Sequence, residues 1–302
     1  MTAGLHQNLE DLEAALTEAG FKAPAFGPML ERIRVFASRY AALERDLLGH
    51  VWLSVPAHLV AGEALSESDD QTEALARRER QRLALGRQET GDMMRLLDGE
   101  GLKVYRPEGP KDSHLDGVFL FDGEVGPLFV VNGRLSPLDA DYVLARLYAY
   151  YLLDNDPYEI RFVHHRPGTE MGFSELRSHA FAGAFLIDGA ALGEYAKAAG
   201  WGATGPWDRG RLEQLALYFE VSYRALIARL LGMGWVTADQ VPDLIQATHD
   251  AANPELSPRE TSAVPPRFTR LALESHARKH LSLEALAEAL ETDPDTAARL
   301  AA

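Results

Sequence analysis

The stretch DYVLARLYAYYLLD, residues 141–154, is the segment around which the rest of the chain is organised. At helical spacing its apolar and aromatic side chains cover nearly every face, which is typical of a helix buried inside a large domain. Arg146 interrupts this pattern, and a guanidinium is costly to bury unless a carboxylate pairs with it. Taken alone, the stretch predicts a buried core helix that carries one charge in need of compensation.

The composition is that of a globular, acidic protein. The 302 residues are 46% hydrophobic and 25% charged, they contain no cysteine, and the formal net charge is −15 at pH 7. This charge argues against broad non-specific attraction to nucleic acid or to anionic membranes, and the lack of cysteine excludes disulfides and thiolate metal sites. Because no apolar run is long enough for a membrane span and no secretion signal is recognised, we predict a cytoplasmic protein without a membrane partner.

The distribution of residues along the chain predicts three regions and an α+β fold that is mostly helical. Apolar residues recur at helical spacing from Leu9 to about Leu48. The polar, acidic stretch 61–75 is predicted to be an exposed linker, with helices resuming near Gln71. Strand composition follows at 102–106, 117–133 and 158–165, with a Gly-containing turn at 122–126, and a helix is predicted from Ser136. We therefore predict a small antiparallel sheet on a helical core over residues 71–205, with helical regions at 1–70 and 206–302.

Two segments follow one another in a recognisable order: EALARRERQRLALGRQETGDMMRLLDGEGLKVYR (73–106) and GPLFVVNGRLSPLDADYVLA (126–145). The first resembles the first helices and first strand, and the second resembles the strand leading into the metal-binding helix, of the ImmA/IrrE family of bacterial zinc metallopeptidases. The resemblance covers residues 73–237. Where the family reads Ala-His-Glu-Leu-Gly-His, Ala145 matches, but Arg146, Leu147 and Tyr150 replace the first His, the Glu and the second His. In the second helix, Glu175 matches the position of an acidic ligand.

The departures from the motif imply a degenerate member of that family, whose fold would be a metallopeptidase-like helical core. An arginine offers no lone pair, a leucine moves no proton and a tyrosine is a poor zinc ligand, whereas catalytic zinc needs three protein ligands and an open position. The resemblance therefore implies a pseudopeptidase that binds no zinc or other cofactor, is not an enzyme and acts by binding. Its expected role is bacterial transcriptional or stress-response regulation, with a regulator or repressor protein as partner and a small-molecule ligand as another possibility.

Four residues are candidates for the remaining pocket: Arg146, Tyr150, Glu175 and His179. We hypothesise that the Arg146 guanidinium takes the place of the metal and pairs with Glu175, with the Tyr150 hydroxyl as a second partner. The alternative is that Arg146 faces solvent and Glu175 lies on the surface. His179 stands where the family carries Asn, and a hydrogen-bonding role inside the fold is its simplest interpretation.

Two other functions are compatible with the sequence. The spacing of apolar residues over 212–231 is that of a helix-turn-helix, with Val221 and Ser222 predicted to form the turn and the N-cap of its second helix. The chain is alternatively a DNA-binding regulator whose contacts would be Ser222, Tyr223, Arg224 and Arg229. The second alternative is an active zinc endopeptidase with atypical ligands, which metal analysis of the purified protein would reveal.

Overall fold

The computed structural model describes residues 7–54, 69–87, 90–111, 113–154, 159–165, 171–203, 205–249 and 262–302. Within these residues the chain forms thirteen α-helices and one sheet of four strands, which confirms the prediction of a mostly helical α+β protein. None of the helices in these ranges is long and apolar enough to cross a membrane.

The elements before the central helix are α1 (Gln7–Glu18), α2 (Gly27–Leu48), α3 (Asp69–Arg82), α4 (Met93–Gly99), β1 (Lys103–Tyr105), β2 (Leu115–Asp122) and β3 (Gly126–Val131). The central helix is α5 (Pro137–Leu153), and it is followed by β4 (Arg161–His164), α6 (Phe173–Leu186), α7 (Gly189–Ala198), α8 (Arg209–Phe219), α9 (Tyr223–Gly232), α10 (Val241–His249), α11 (Pro266–Ala277), α12 (Leu283–Ala289) and α13 (Pro294–Ala301). Short 3-10 helices occur at Ala23–Phe26 and Ala238–Gln240. Part of the predicted linker, residues 61–68, lies outside the described residues. Residues 69–75 are not a linker because they belong to α3, which begins two residues before the helix start predicted near Gln71.

The sheet is mixed, with the strand order β1-β3-β2-β4. The pairs β2–β3 and β2–β4 are antiparallel as predicted, and the Asp122 carboxylate accepts the N–H groups of Glu124 and Val125 in the turn between β2 and β3. The prediction of a wholly antiparallel sheet is wrong at β1, which pairs in parallel with β3. The reason is topological: β1 pairs with the second strand of the hairpin and not with the first, and this second strand runs in the same direction as β1.

Side chains alternate between the two faces of the sheet, and both faces are covered. Phe119 and Phe129 belong to the hydrophobic cluster that includes α5 and α6, whereas Val118 and Val130 belong to the cluster that includes α2 and α11. Helix α5 lies very close to β2, since a Cβ atom added to Gly117 would be 2.7 Å from Val143 Cγ1. The strands thus support α5 from one side, while its other sides meet helices. The proposed division of the chain into three domains stays a prediction.

Helix α5 is buried nearly all round, as its sequence predicts. Ser136 is the N-cap and its hydroxyl accepts the N–H of Asp139 at 3.1 Å, while Pro137 occupies the first helical turn. The buried residues of the helix are Leu138, Ala140, Asp141, Tyr142, Val143, Leu144, Ala145, Arg146, Leu147, Tyr148, Ala149, Tyr150 and Leu153. A charged residue in such a helix has to find its partner inside the protein.

Candidate functional site

Arg146 and Glu175 meet between α5 and α6. The Arg146 side chain is 0% exposed, and its Nη2 atom donates to Glu175 Oε1 at 3.2 Å. Its Nε atom donates to the Ser178 hydroxyl at 3.1 Å, whereas its buried Nη1 atom has no hydrogen-bond partner among the described residues. The structure thus brings together the two hypothesised partners, and the alternative of a solvent-facing Arg146 is wrong.

Tyr150 reaches this ion pair only indirectly. Its hydroxyl lies 3.3 Å from the Ser178 hydroxyl, which also contacts the backbone carbonyl of Glu175 at 2.7 Å. Because the carbonyl can only accept, the single Ser178 proton goes there, and the Tyr150 hydroxyl and Arg146 Nε then both donate to the Ser178 oxygen. The expectation that Tyr150 contacts Arg146 directly is therefore wrong, and Ser178 is the residue that the sequence interpretation missed.

Leu147 and Tyr150, the two other motif positions on α5, are packed into the protein interior. Leu147 is 0% exposed and faces β2, where a Cβ atom on Gly117 would be 3.1 Å from its Cδ1 atom. Beside Tyr150, a crevice of about 140 Å³ lies between α5 and α6, and it has no room for a water molecule. Its lining residues are Ala149, Tyr150, Leu153, Asp154, Ser174, Arg177 and Ser178. This crevice is therefore closed and is not an open pocket.

His179 is held in its neutral form beside the ion pair. Burial lowers its pKa well below the ordinary value, and the positive charges of Arg146, Arg224 and His164 lower it further. Its Nδ1 atom lies 2.6 Å from the Tyr142 hydroxyl, and its Nε2 atom lies 4.0 Å from Glu175 Oε1. We assign the proton to Nε2, so that the Tyr142 hydroxyl donates to Nδ1. His179 thus makes a hydrogen bond inside the fold, as predicted.

A second charged group joins the sheet to α9. Asp116 on β2 is 1% exposed, and its two carboxylate oxygens contact Arg224 Nη2 at 2.9 Å and His165 Nδ1 at 2.8 Å. Burial acts to raise the pKa of Asp116, but the hydrogen bond from His165 and the charge of Arg224 outweigh it, so that the pKa is lowered. The Arg224 guanidinium also lies 5.7 Å from the centre of the Tyr142 ring, and its charge helps to lower the pKa of His179.

The four residues predicted to face DNA do not form an exposed surface. Ser222 is buried and caps α9, Tyr223 is 5% exposed, and Arg229 is buried with its Nη2 atom 3.1 Å from Glu73. Arg224 is partly exposed, but its charge is engaged by Asp116. The helix pair α8–α9 does have the predicted N-cap at Ser222, yet the start of α9 packs into the protein, and the prediction that it presents these side chains is wrong.

A zinc ion does not fit the donor set at this site. Arg146, a permanent cation, occupies the space beside Glu175 where a metal would have to lie. A second guanidinium, that of Arg224, lowers the pKa of His179. Among the residues that the structure describes, no group of three or more His, Asp or Glu side chains is arranged to hold a metal ion. The remaining acidic position, Glu175, is already neutralised by Arg146.

Comparison of the chain with protein-family models, with curated proteins and with solved structures found no match. The resemblance to the metallopeptidase family therefore stays a prediction.

Proposed function

We propose that the protein is a catalytically inactive, metallopeptidase-like protein that acts by binding in bacterial transcriptional or stress-response regulation. One observation carries the proposal: positions 146, 150 and 175, which the resemblance equates with two His ligands and an acidic ligand, converge in space. Arg146 contacts Glu175 directly, and Ser178 connects both to Tyr150. Such convergence from two helices is what a site built to hold a metal requires.

The residues now present favour binding over catalysis. A guanidinium stays protonated, so Arg146 can neither hold a metal nor accept a proton, and Leu147 provides no base. With catalysis lost, the function left to such a fold is recognition. The resemblance suggests a regulator or repressor protein as partner, held without being cut, and a small-molecule ligand as the second class.

The convergence can be tested by restoring the motif. We expect the combined substitutions Arg146→His, Leu147→Glu and Tyr150→His to produce a protein that binds one zinc ion, because two imidazoles one helical turn apart would then face Glu175. Elemental analysis after dialysis measures the zinc. Adding Glu175→Ala should remove the ion or weaken its binding strongly.

The result contradicting the proposed arrangement is a folded triple variant without zinc. The wild-type protein is analysed in parallel, and stoichiometric zinc there that is lost on Glu175→Ala would favour the active peptidase alternative. The binding role is tested with purified helix-turn-helix regulators from the same host. A stable complex in which mass spectrometry finds the regulator intact supports the proposal, and a cleaved regulator refutes it.

DNA binding is the less well supported function. Its expected contacts are buried or paired within the fold, and the net charge of −15 opposes attraction to phosphate. A gel-retardation assay with labelled DNA at low salt tests this directly. Retardation of the DNA by the wild type that is lost in Arg224→Ala would support the DNA-binding regulator instead.

A further inference from the structure

A groove of about 620 Å³ lies between α7, α8 and the residues that follow α3. Its lining residues are Gly86, Arg87, Ala191, Glu194, Tyr195, Ala198 and Tyr218. The four residues from α7 stand at positions i, i+3, i+4 and i+7, so they share one face of that helix. None of the described residues that line the groove belongs to the Arg146–Glu175 site. We call this feature the tyrosine groove.

Two tyrosine rings form the aromatic part of the groove. The ring centres of Tyr195 and Tyr218 are 4.4 Å apart, and their planes are tilted by 50°. Tyr195 also contacts the ring of Trp201, whose centre is 5.8 Å away. Tyr218 is 38% exposed, and Tyr195 and Trp201 are half-buried. The rings thus contact one another and are partly open to solvent, which is typical of a surface that binds apolar groups.

The polar groups of the groove are mainly hydrogen-bond donors. The Tyr195 hydroxyl has no hydrogen-bond partner in the part of the chain that the structure describes. Arg87 is exposed and donates from Nη2 to Glu194 at 2.9 Å, which uses one of the five N–H groups of its guanidinium. Glu194 is the only carboxylate among the described lining residues. A ligand that presents carbonyl acceptors and few donors therefore matches the groove.

Among peptide ligands, a proline-rich segment has these properties. Proline lacks a backbone N–H, and the polyproline II helix makes no internal hydrogen bonds, so its carbonyl groups are free to accept. Its rings pack on aromatic side chains, and aromatic-lined grooves bind such segments in this way. An α-helical ligand uses most of its carbonyls internally, and an added strand needs the free edge of a sheet, whereas this groove is lined by helices and a loop.

The ion pair in the groove favours a basic residue next to the prolines. Arg87 and Glu194 are both exposed, and an exposed pair contributes little to stability, so it can open at little cost. Glu194 is then able to accept a Lys or Arg of the ligand, while Arg87 donates to a ligand carbonyl. The formal net charge of −15 attracts a cationic segment over longer distances.

We propose that the tyrosine groove binds a proline-rich segment of a partner protein, in the polyproline II conformation and with a Lys or Arg beside the prolines. The prolines pack on Tyr195 and Tyr218, the Tyr195 hydroxyl and Arg87 donate to the peptide carbonyls, and Glu194 holds the basic residue. The groove shares no described residue with the site on which the proposed function rests, so it is a second interaction surface that goes beyond that function.

Calorimetry with the full-length protein tests the proposal. The probes are two capped oligoproline peptides, one with an arginine before the prolines and one with an arginine after them. The controls are the same peptides with glycine and serine in place of the prolines. We expect at least one proline peptide to bind saturably with a Kd below about 1 mM, and its control to bind at least about tenfold more weakly. A smaller difference, or no binding of either proline peptide, overturns the proposal.

Matched variants locate the binding. Tyr218→Ala should weaken the proline peptide about tenfold, because an aromatic anchor is truncated. Leu217→Ala is its control and should bind as the wild type does, since Leu217 is the preceding residue of α8 and is 43% exposed but is not among the described residues that line the groove. A folded Tyr218→Ala that binds with wild-type affinity refutes the groove as the site.

A second pair of variants tests the charge and replaces the first pair if Tyr218→Ala does not fold. Glu194→Gln should weaken the peptide about threefold or more, because the carboxylate that accepts the peptide arginine is lost. Glu108→Gln is the control, since Glu108 pairs with Arg134 at 2.9 Å on exposed side chains away from the lining residues. Equal affinities of these two variants refute the assigned role of Glu194 and with it the proposed ligand. Neither result bears on zinc binding by the restored motif, so the two proposals fail separately.

Discussion

Removing Glu175 should destabilise the protein strongly, because Arg146 has no other carboxylate at hydrogen-bond distance among the described residues. In Glu175→Ala the guanidinium would remain 0% exposed, with the Ser178 hydroxyl as its remaining acceptor. A buried cation without a counter-ion must be solvated by water entering the helix interface or must drive α5 and α6 apart. Both responses cost free energy of folding.

The structure sets the size of the effect. Breaking a buried ion pair by removing one partner costs about 3–5 kcal/mol. The contact is a single hydrogen bond of 3.2 Å and Glu175 is 18% exposed, so the Arg146 side of the pair is dry and the Glu175 side is partly hydrated. We therefore expect the lower end of that range, about 3 kcal/mol.

Urea denaturation followed by circular dichroism measures this loss. Arg146→Met combined with Glu175→Ala should be more stable than Glu175→Ala alone, because an apolar side chain of similar length carries no charge that needs solvation. Glu194→Ala is the control, since it breaks the exposed pair with Arg87 and should leave stability nearly unchanged. The reasoning is refuted if Glu175→Ala is as mild as this control.

Three further predictions concern other parts of the structure. Burial raises the pKa of Asp98 to about 6 from the ordinary 3.8, so the folded state holds the proton more tightly, and stability should fall as the pH rises from about 4 to about 6. Urea midpoints across this range should show the fall in the wild type and not in Asp98→Asn. Gly183→Ala should lower the free energy of unfolding by about 1–3 kcal/mol, because the new Cβ would lie 2.8 Å from the backbone nitrogen of Arg229 and would push α6 away from α9. Thermal melts would detect this loss of stability. Asp116→Asn should lower the free energy of unfolding measured by urea denaturation by about 2 kcal/mol, because Arg224 and His165 lose an ionised acceptor. A variant as stable as the wild type would contradict the role assigned to this carboxylate.

Local features of the fold were predictable because their causes lie within a few residues. Ser136 and Ser222 were recognisable as N-caps from the residues around them, and the turn after Asp122 was recognisable from its glycines. The Arg146–Glu175 contact was predictable for a different reason. A charge in an otherwise apolar helix needs a partner, and the resemblance to a metal site indicated which carboxylate would lie opposite.

Features that depend on long-range packing could not be predicted. The carboxylate of Glu44, the ammonium of Lys103 and the guanidinium of Arg267 form one buried group, with Glu44 Oε2 and Lys103 Nζ 3.1 Å apart. Within its own sequence segment, each of these residues is indistinguishable from an ordinary surface charge. Their contact depends on how α2, β1 and α11 pack, which the local sequence does not indicate. The pairing of Asp116 with Arg224 was missed for the same reason, although an acid at the start of an apolar strand was a usable signal.

Under the proposed function, a guanidinium stands where the resemblance places a metal, and this has a consequence for regulation. A zinc-bound helix pair would depend on metal supply and on the deprotonation of its ligands. The Arg146 cation is covalently attached and stays protonated, so the contact between α5 and α6 persists whatever metal is available. Under the proposed function, the signal that this protein reads is therefore not zinc. Other contacts between these helices are open to regulation, since His179 and Arg224 connect α6 and α9 to the same ring of α5, that of Tyr142, and both are partly exposed.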